Sequence, residues 1–377
     1  MDLDAEFKTA LAAHRAGDLA AAERGYRLVL ATRDHLPSLN NLGVILEDDG
    51  RFAEAAGTFA RAVQAAPGLL KPLLTLADHY RTTRQFAAAE PLYRRAHALE
   101  PENHNTVFHL GLTLLGMGRD EEGWACYDHR QARLSRLSDD FGIPEWRGEP
   151  LAGKRLFVYR EQGFGDQIMM ARFLPLLDAA EITYMGPPAL ERLFAALPVT
   201  YLEARSEDTI VPRQDYWILP GSLPGRLGLT ARTAPNAPYL SGQARDAGGR
   251  IGVVWRGEPK NPNDIHRSLP PDRAAWLLAL PGAISLDPAD TGAADLQATA
   301  DIISGLDLVI TVDTATAHLA GALGRPVWVM LARHAIDWQW PREATSPWYP
   351  SARLFIQPEP RDWASLVDEV VREARAL

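Results

Sequence analysis

The sequence predicts an α-helical repeat solenoid followed by two α/β halves with parallel sheets. Three observations lead to this fold class. The first third of the chain repeats itself at a spacing of 34 residues, a stretch rich in proline and glycine follows, and strands then alternate with helices in two successive series. A chain of 377 residues has room for two or three such domains.

The composition excludes several classes of protein. Hydrophobic residues make up 46% and charged residues 23%, and the formal net charge is −9 with no long basic run, so tight nucleic-acid binding is disfavoured. A single cysteine rules out an intrachain disulfide, and no apolar run approaches the roughly 20 residues that span a bilayer. We therefore expect a cytoplasmic protein with no membrane span and no nucleic-acid partner.

The repeat is visible when residues 38–67 are aligned with residues 72–101. Small residues recur where two helices would touch, an aromatic residue fills the gap between them, and a proline closes each unit. The matched pairs are Leu42 and Leu76, Gly43 and Ala77, Ala55 and Ala89, Phe59 and Tyr93, Ala62 and Ala96, and Pro67 and Pro101. Weaker copies lie on both sides of these two units.

This pattern resembles tetratricopeptide repeats, about four of them, over residues 1–135. Such repeats stack into a solenoid whose concave face often holds a peptide. A partner peptide in this groove is one interpretation, and a capping or dimerisation module without a peptide ligand is the other.

Residues 136–154 break the helical period and are predicted to be a linker. The first α/β half, residues 155–245, contains predicted strands at 155–159, 182–185, 199–202 and 215–219, with helices at 166–177 and 188–197. The second half, residues 246–377, contains predicted strands at 250–255, 283–286, 307–312 and 326–331, of which we expect the fourth to be the last. Its predicted helices cover 273–280, 293–306, 314–323 and 363–376.

The loop after the first strand carries the first candidate site. Gly163 and Gly165 allow a tight turn or a close approach of ligand, and Asp166 follows at a helix start. This carboxylate is either a helix N-cap or a general base, and Glu161 is a second candidate for the base.

A second candidate site follows the strand that ends at Val312. Asp313 and Thr314 occupy a turn before a helix of small residues, and the free N–H groups at such a helix start favour an anion. Thr316 lies in the same first turn, and His318 could donate to a phosphate or sugar oxygen. The alternative is an ordinary capped and buried helix.

A third candidate site is the polar loop after the strand at 250–255. It offers the cations Arg256, Lys260 and Arg267, which a diphosphate needs, together with His266 and Ser268, although a solvated loop would look the same. No His or Cys spacing typical of a metal site occurs anywhere in the chain.

Together these stretches resemble bacterial repeat-linked glycosyltransferases. The quoted segments are "EQGFGDQIMMARFLPLL", "NDIHRSLP" and "DLVITVDTATAHLAGALGRPVWVML" with the later "DWQW" and "SPWYP". They are similar to the heptosyltransferase group, glycosyltransferase family 9, and more distantly to O-GlcNAc transferase. The resemblance implies a GT-B fold, and an inverting transfer from a nucleotide-sugar that needs neither a metal nor another cofactor.

The resemblance also implies roles for individual residues. Asp166 matches the catalytic base, while Asp313, Thr314 and His318 match the loop that binds the donor phosphates. Arg256, Lys260 and Arg267 compete for the position of the basic residue at the pyrophosphate, with Arg267 favoured. Asp287 lies where a contact to the donor ribose is expected.

The acceptor is less defined than the donor side. Because the repeats would recruit a partner, we expect a protein acceptor, with a lipopolysaccharide or another glycan as the alternative. A second hypothesis is a repeat scaffold whose α/β part is inactive or only senses a nucleotide.

Overall fold

The structure is a computed structural model that describes residues 2–137, 142–204, 212–260, 264–341 and 343–377. The predicted linker at 136–154 lies partly outside these ranges. The chain forms two compact units, Met1–Arg119 and Asp120–Leu377.

The first unit is built from helices that each pack against their neighbours in the chain. They are α1 (Leu3–Arg15), α2 (Leu19–Leu30), α3 (Leu36–Asp48), α4 (Phe52–Ala65), α5 (Leu70–Thr82), α6 (Phe86–Leu99) and α7 (His104–Gly116). Asp2, Asp18 and Asn103 accept hydrogen bonds from backbone N–H groups of the helices that follow them, which fixes where α1, α2 and α7 begin.

The repeated small and aromatic residues of the first unit form its core. Phe59 and Tyr93 are almost fully buried. A Cβ atom on Gly43 would lie 2.2 Å from the ring of Phe59, so only glycine lets these two helices approach so closely. The predicted helical solenoid is confirmed.

Two further helices, α8 (Asp120–Tyr127) and α9 (Gln131–Leu137), follow the first unit in the chain. The repeat pattern extends to α8, with Tyr127 in phase with Tyr93. The structure nevertheless groups α8 with the second unit, where the indole N–H of Trp124 donates to the carbonyl of Leu229 over 3.1 Å.

The first α/β half of the second unit is a four-stranded parallel sheet with the order β3-β2-β1-β4. Its elements are β1 (Arg155–Tyr159), α10 (Phe164–Ala171), β2 (Glu181–Gly186), α11 (Pro188–Phe194), β3 (Thr200–Glu203), β4 (Tyr216–Ile218) and α12 (Leu223–Arg226). Each strand overlaps a predicted one.

Helix α10 is shorter than predicted. It ends at Ala171, and a 3-10 turn at Leu174–Leu176 completes the predicted span to 177. Pro175 lacks a backbone N–H and disfavours a helical residue before it, which explains the break.

The second α/β half is a five-stranded parallel sheet with the order β6-β5-β7-β8-β9. Its elements are β5 (Ile251–Val254), α13 (Asp264–Arg267), α14 (Pro271–Leu278), β6 (Ala283–Ser285), α15 (Pro288–Thr291), α16 (Leu296–Ser304), β7 (Leu308–Val312), α17 (Ala315–Ala322), β8 (Val327–Leu331), β9 (Ala352–Ile356) and α18 (Trp363–Ala374). The expectation that β8 is the last strand is wrong, because β9 pairs with it in parallel.

The two sheets confirm the predicted fold class, a solenoid followed by two Rossmann-like halves. Helix α10 of the first half packs against α17 of the second, so the loops at the carboxyl ends of both sheets face each other. Across the described parts of the chain, no helix is long and apolar enough to cross a membrane.

Candidate active site

A cleft with a volume of about 890 Å³ lies between the two α/β halves, at the carboxyl ends of their strands. One wall is the loop after β1 and the start of α10. The other wall contains the loops after β5, β6, β7 and β8. Sequence-predicted residues on these walls are Gly163, Gly165, Asp166, Arg256, Lys260, Arg267, Asp287, Asp313, Thr314 and Thr316.

Asp166 occupies the third position of α10. Its Oδ2 accepts a 3.3 Å hydrogen bond from the backbone N–H of Gly163, the residue that caps the helix. Gln162, just before the cap, has φ +59°, a value that most residues avoid. The backbone turn therefore directs the Asp166 carboxylate into the cleft.

Burial in the cleft raises the pKa of Asp166 to about 7, and the negative charges of Asp337, Glu161 and Asp313 add to this effect. The N–H of Gly163 acts in the opposite direction but is outweighed. A carboxyl with this pKa exchanges its proton near neutrality, as a general base must.

The opposite wall begins with Thr314, the N-cap of α17. Its hydroxyl lies 3.1 Å from that of Thr311 and does not cap the helix. Because the first turn of a helix leaves backbone N–H groups without intrahelical partners, Ala315 and Thr316 present a partial positive charge to the cleft.

Asp313 lies beside this helix start. Its Oδ1 accepts a 2.8 Å hydrogen bond from the indole N–H of Trp340, and its backbone carbonyl accepts one from Arg267 over 3.1 Å. Burial, reinforced by the charge of Asp337, raises the pKa of Asp313 to about 6, although Trp340 and Arg267 both act to lower it.

Three cations lie on this second wall. The Arg267 guanidinium is one-fifth exposed and is fixed by Asp264 at 3.3 Å. Gly257 makes room for it, since a Cβ there would lie 2.7 Å from its nitrogens. Arg256 is exposed and paired with Asp287, whose pKa this bond lowers, while Lys260 is exposed at the rim.

His318 is placed behind the wall of the cleft. Its Nδ1 lies 3.0 Å from the hydroxyl of Tyr349, its Nε2 lies 3.4 Å from Gln339 Nε2, and its ring stacks on Trp340. Burial, with the charge of Arg172, lowers the pKa of His318 to about 3, so the ring is neutral. The ring supports Trp340 and Gln339, and its contact to a donor phosphate stays a prediction.

Glu161 and Ser268 are also placed outside the lining of the cleft. The Glu161 side chain is 5% exposed and pairs with Arg130 through both carboxylate oxygens at 2.7 Å. The Ser268 hydroxyl donates to Asp264 and accepts from the N–H of Gly257, each at 2.9 Å, so it shapes the loop that carries Arg267.

Sequence reasoning assigned no role to several residues that line the cleft, among them Phe164, Asp337 and Gln339. Phe164 is 42% exposed beside Asp166. The negative charge of Asp337 raises the pKa of both Asp166 and Asp313. The "DWQW" segment quoted from the sequence contains Asp337 and Gln339, which was the available signal. Among the described residues, no group of three or more His, Cys, Asp or Glu side chains could hold a metal ion.

Two parts of the chain match known protein families. Residues 291–354 match the family described as glycosyltransferase family 9 (heptosyltransferase), and residues 7–69 match the tetratricopeptide repeat family. The first match contains Asp313, Thr314, His318 and Trp340, whereas the wall with Asp166 lies outside it.

Protein FlbA of Caulobacter vibrioides is 27% identical over 405 aligned positions, which cover 89% of this chain and 66% of that protein. This chain thus spans about two thirds of the length of that relative. A crystal structure of MamA is 21% identical, with a TM-score of 0.33, and covers 35% of this chain and 73% of its own.

A tetratricopeptide repeat protein from Parabacteroides merdae is 18% identical, with a TM-score of 0.33, over 36% of this chain and 54% of its own. The two family matches confirm the resemblance inferred from the sequence: this chain joins tetratricopeptide repeats to a glycosyltransferase family 9 segment.

Proposed function

We propose that this protein is an inverting, metal-independent glycosyltransferase that moves a sugar from a nucleotide-sugar to an acceptor hydroxyl. The observation that carries the proposal is the opposition of two features across one cleft. Asp166, a carboxyl with a pKa of about 7, faces the start of α17 and the guanidinium of Arg267.

The donor pyrophosphate would bind at the start of α17. Backbone N–H groups there and the charge of Arg267 supply the stabilisation that a divalent metal gives in other transferases. Arg256 and Lys260 line the same wall and would add positive charge. Asp287 follows β6 at the same edge of the sheet and would accept a hydrogen bond from the ribose.

Asp166 would act as the base on the other side of the bound sugar. It takes the proton from the acceptor hydroxyl, whose oxygen attacks the anomeric carbon from the face opposite the nucleotide. The bond from the anomeric carbon to the phosphate oxygen breaks, and the nucleoside diphosphate leaves with the electron pair. Attack from the opposite face inverts the anomeric centre.

The acceptor would be a protein recruited through the repeats, in the cytoplasm. Support comes from the match of residues 7–69 to the tetratricopeptide repeat family, whose solenoids commonly hold peptides. A glycan acceptor would use the same cleft and the same base, so the two differ in whether the first unit is needed for turnover.

A panel of nucleoside diphosphates and nucleotide-sugars, added to the purified protein, tests the donor site. A ligand that binds only the folded state raises the melting temperature by mass action. We expect one nucleotide to produce a clear shift that Arg267→Ala reduces. Arg273→Ala is the matched control, since Arg273 is an α14 arginine that does not line the cleft.

Asp166→Ala separates chemistry from binding. Transfer should fall by at least about 100-fold, as expected for loss of a general base, while the nucleotide still raises the melting temperature. Near-normal turnover in this variant would show that Asp166 is not the base. If no nucleotide shifts the wild-type melting temperature, the transferase proposal fails and the inactive repeat scaffold takes its place.

A further inference from the structure

We propose that Trp124, Tyr127 and Arg130 form a clamp that positions the walls of the cleft, and we name these three side chains the α8 clamp. Trp124 and Tyr127 lie on α8, and Arg130 follows it in the chain. All three are at most 4% exposed. The inference rests on the proposed role of Asp166 and assigns positioning residues to it.

The Arg130–Glu161 pair is the first contact of the α8 clamp. Arg130 Nε donates to Glu161 Oε2 and its Nη2 donates to Oε1, each over 2.7 Å, so both partners are held in one plane. The backbone N–H of Gly221 donates to Oε1 as well, over 2.7 Å. Glu161 is five residues before Asp166, so this pair anchors the start of the loop that ends in the base.

Tyr127 makes the second contact, to the next residue of the same loop. Its hydroxyl oxygen accepts a 2.7 Å hydrogen bond from the side chain of Gln162. Gln162 has φ +59°, and a conformation of this kind persists only where its surroundings enforce it. The bond from Gln162 to Tyr127 supplies such a constraint immediately before the cap of α10.

Trp124 makes the third contact, to the opposite wall. Its ring lies 5.3 Å from that of Trp338, edge to face, and the Tyr127 ring lies 6.2 Å from the same indole. Trp338 stands between Asp337 and Gln339, which both line the cleft. The α8 clamp thus contacts the loop with the base and the segment that carries Asp337.

The burial of the first contact argues for a positioning role. Arg130 is 2% exposed and the Glu161 side chain 5%, and Asp128 and Ser222 complete the polar network around the guanidinium. Apolar residues of similar volume often stabilise a core as well as a buried ion pair does. What the ion pair adds is a fixed direction for the loop, and a shift of about 1 Å at a catalytic group can cost about 100-fold in rate.

Two variants test the α8 clamp. Tyr127→Phe removes only the hydroxyl that holds Gln162, and Glu161→Gln removes the charge that Arg130 binds. Tyr26→Phe is the control for the first, because the buried Tyr26 hydroxyl also has hydrogen-bond partners, in the first unit. Glu373→Gln, which breaks an exposed pair with Arg353, is the control for the second.

The first measurement is hydrogen exchange of the backbone amides of residues 160–167, which needs no substrate. We expect about tenfold faster exchange in Tyr127→Phe, the effect of losing about one hydrogen bond, and no change in Tyr26→Phe. Unchanged exchange in Tyr127→Phe would overturn the α8 clamp. Because Tyr127→Phe is the milder change, its exchange rate tests the α8 clamp even if Glu161→Gln does not fold.

The second measurement is transfer activity. We expect kcat of Tyr127→Phe to fall about tenfold with KM for the nucleotide-sugar within about twofold, since this loop lies across the cleft from Arg267 and the start of α17, where the donor would bind. In Glu161→Gln the acid limb of the kcat profile should move to lower pH. The charge of Glu161, with Asp337 and Asp313, raises the pKa of Asp166, whereas the Gly163 N–H lowers it.

A purely structural role for these residues would lower stability without moving this pH profile, and that result would contradict the proposal. If the wild-type protein transfers no sugar from any donor, the proposed function fails, and the exchange experiment alone then decides whether the α8 clamp holds the loop.

Discussion

Gly165 lies directly against the ring of His318. A Cβ atom at position 165 would come within 2.8 Å of His318 Cδ2 and 3.5 Å of the Ala315 Cα. The residue before Asp166 in one half therefore meets the first two turns of α17 in the other, and the missing side chain sets how closely the two walls of the cleft approach.

Gly165→Ala should push α10 and α17 apart. Overpacking a close contact of this kind costs about 1–3 kcal/mol, and transfer should fall because Asp166 moves away from Arg267 and the start of α17. Gly57→Ala is the control, because nothing lies within 4 Å of a Cβ at that position in α4. Unfolding in urea and initial rates of both variants check the prediction, which fails if Gly165→Ala behaves like Gly57→Ala.

His318 should make stability depend on pH below neutrality. Its folded-state pKa of about 3 is below the ordinary 6.5, so the unfolded chain binds a proton that the folded chain does not between these values. Stability from this residue is present above pH 6.5 and is lost as pH falls toward 3.

His318→Phe removes this pH dependence. The variant also removes the ring nitrogens that Tyr349 and Gln339 contact, so at pH 7 it should be less stable than wild type by about 1–3 kcal/mol. Unfolding free energies of both proteins, measured between pH 4.5 and 7, should converge as pH falls. A constant difference across this range would contradict the neutral, buried histidine.

Asp337 should set the pH at which the proposed transfer becomes active. Its charge is the second-largest cause, after burial, of the raised pKa values of Asp166 and Asp313. Asp337→Asn removes that charge, so the acid limb of the kcat profile should move to lower pH. Rates measured from pH 5 to 9 check this, with the exposed Asp272→Asn on α14 as the control.

The sequence predicted much of this site for a definite physical reason. The carboxyl ends of parallel strands meet at one edge of each sheet, so the strand assignments brought Asp166 and Asp313 to the same cleft, and the family resemblance added Asp287. Strand β9 was missed because it follows an irregular segment rich in proline and tryptophan rather than a helix.

Periodicity could not reveal the contacts between distant parts of the chain. The sequence made Glu161 a candidate base. In the structure Arg130, 31 residues away, donates hydrogen bonds to both of its carboxylate oxygens. Asp337 lies in a segment without regular structure, so no strand or helix placed it near Asp166. Whether a carboxylate can act as the base depends on side-chain pairing between distant elements. The local sequence pattern carries no information about that pairing.

The ionised Asp166 carboxylate should lower the stability of the folded protein. Its folded-state pKa of about 7 is above the ordinary 3.8, so its favourable contribution to stability exists below pH 4 and is lost as pH rises through 7.

Asparagine cannot ionise and keeps an oxygen that can accept a hydrogen bond from the backbone N–H of Gly163. Asp166→Asn should therefore be more stable than wild type at pH 8.5, on the order of 1–2 kcal/mol after screening by solvent, and nearly equal at pH 4.5. Urea unfolding at both pH values checks this, with Asp368→Asn on the exposed face of α18 as the control. An Asp166→Asn variant without this pH-dependent gain would mean that the carboxylate is well solvated, and a well-solvated aspartate would be too weak a base near neutrality for the proposed transfer.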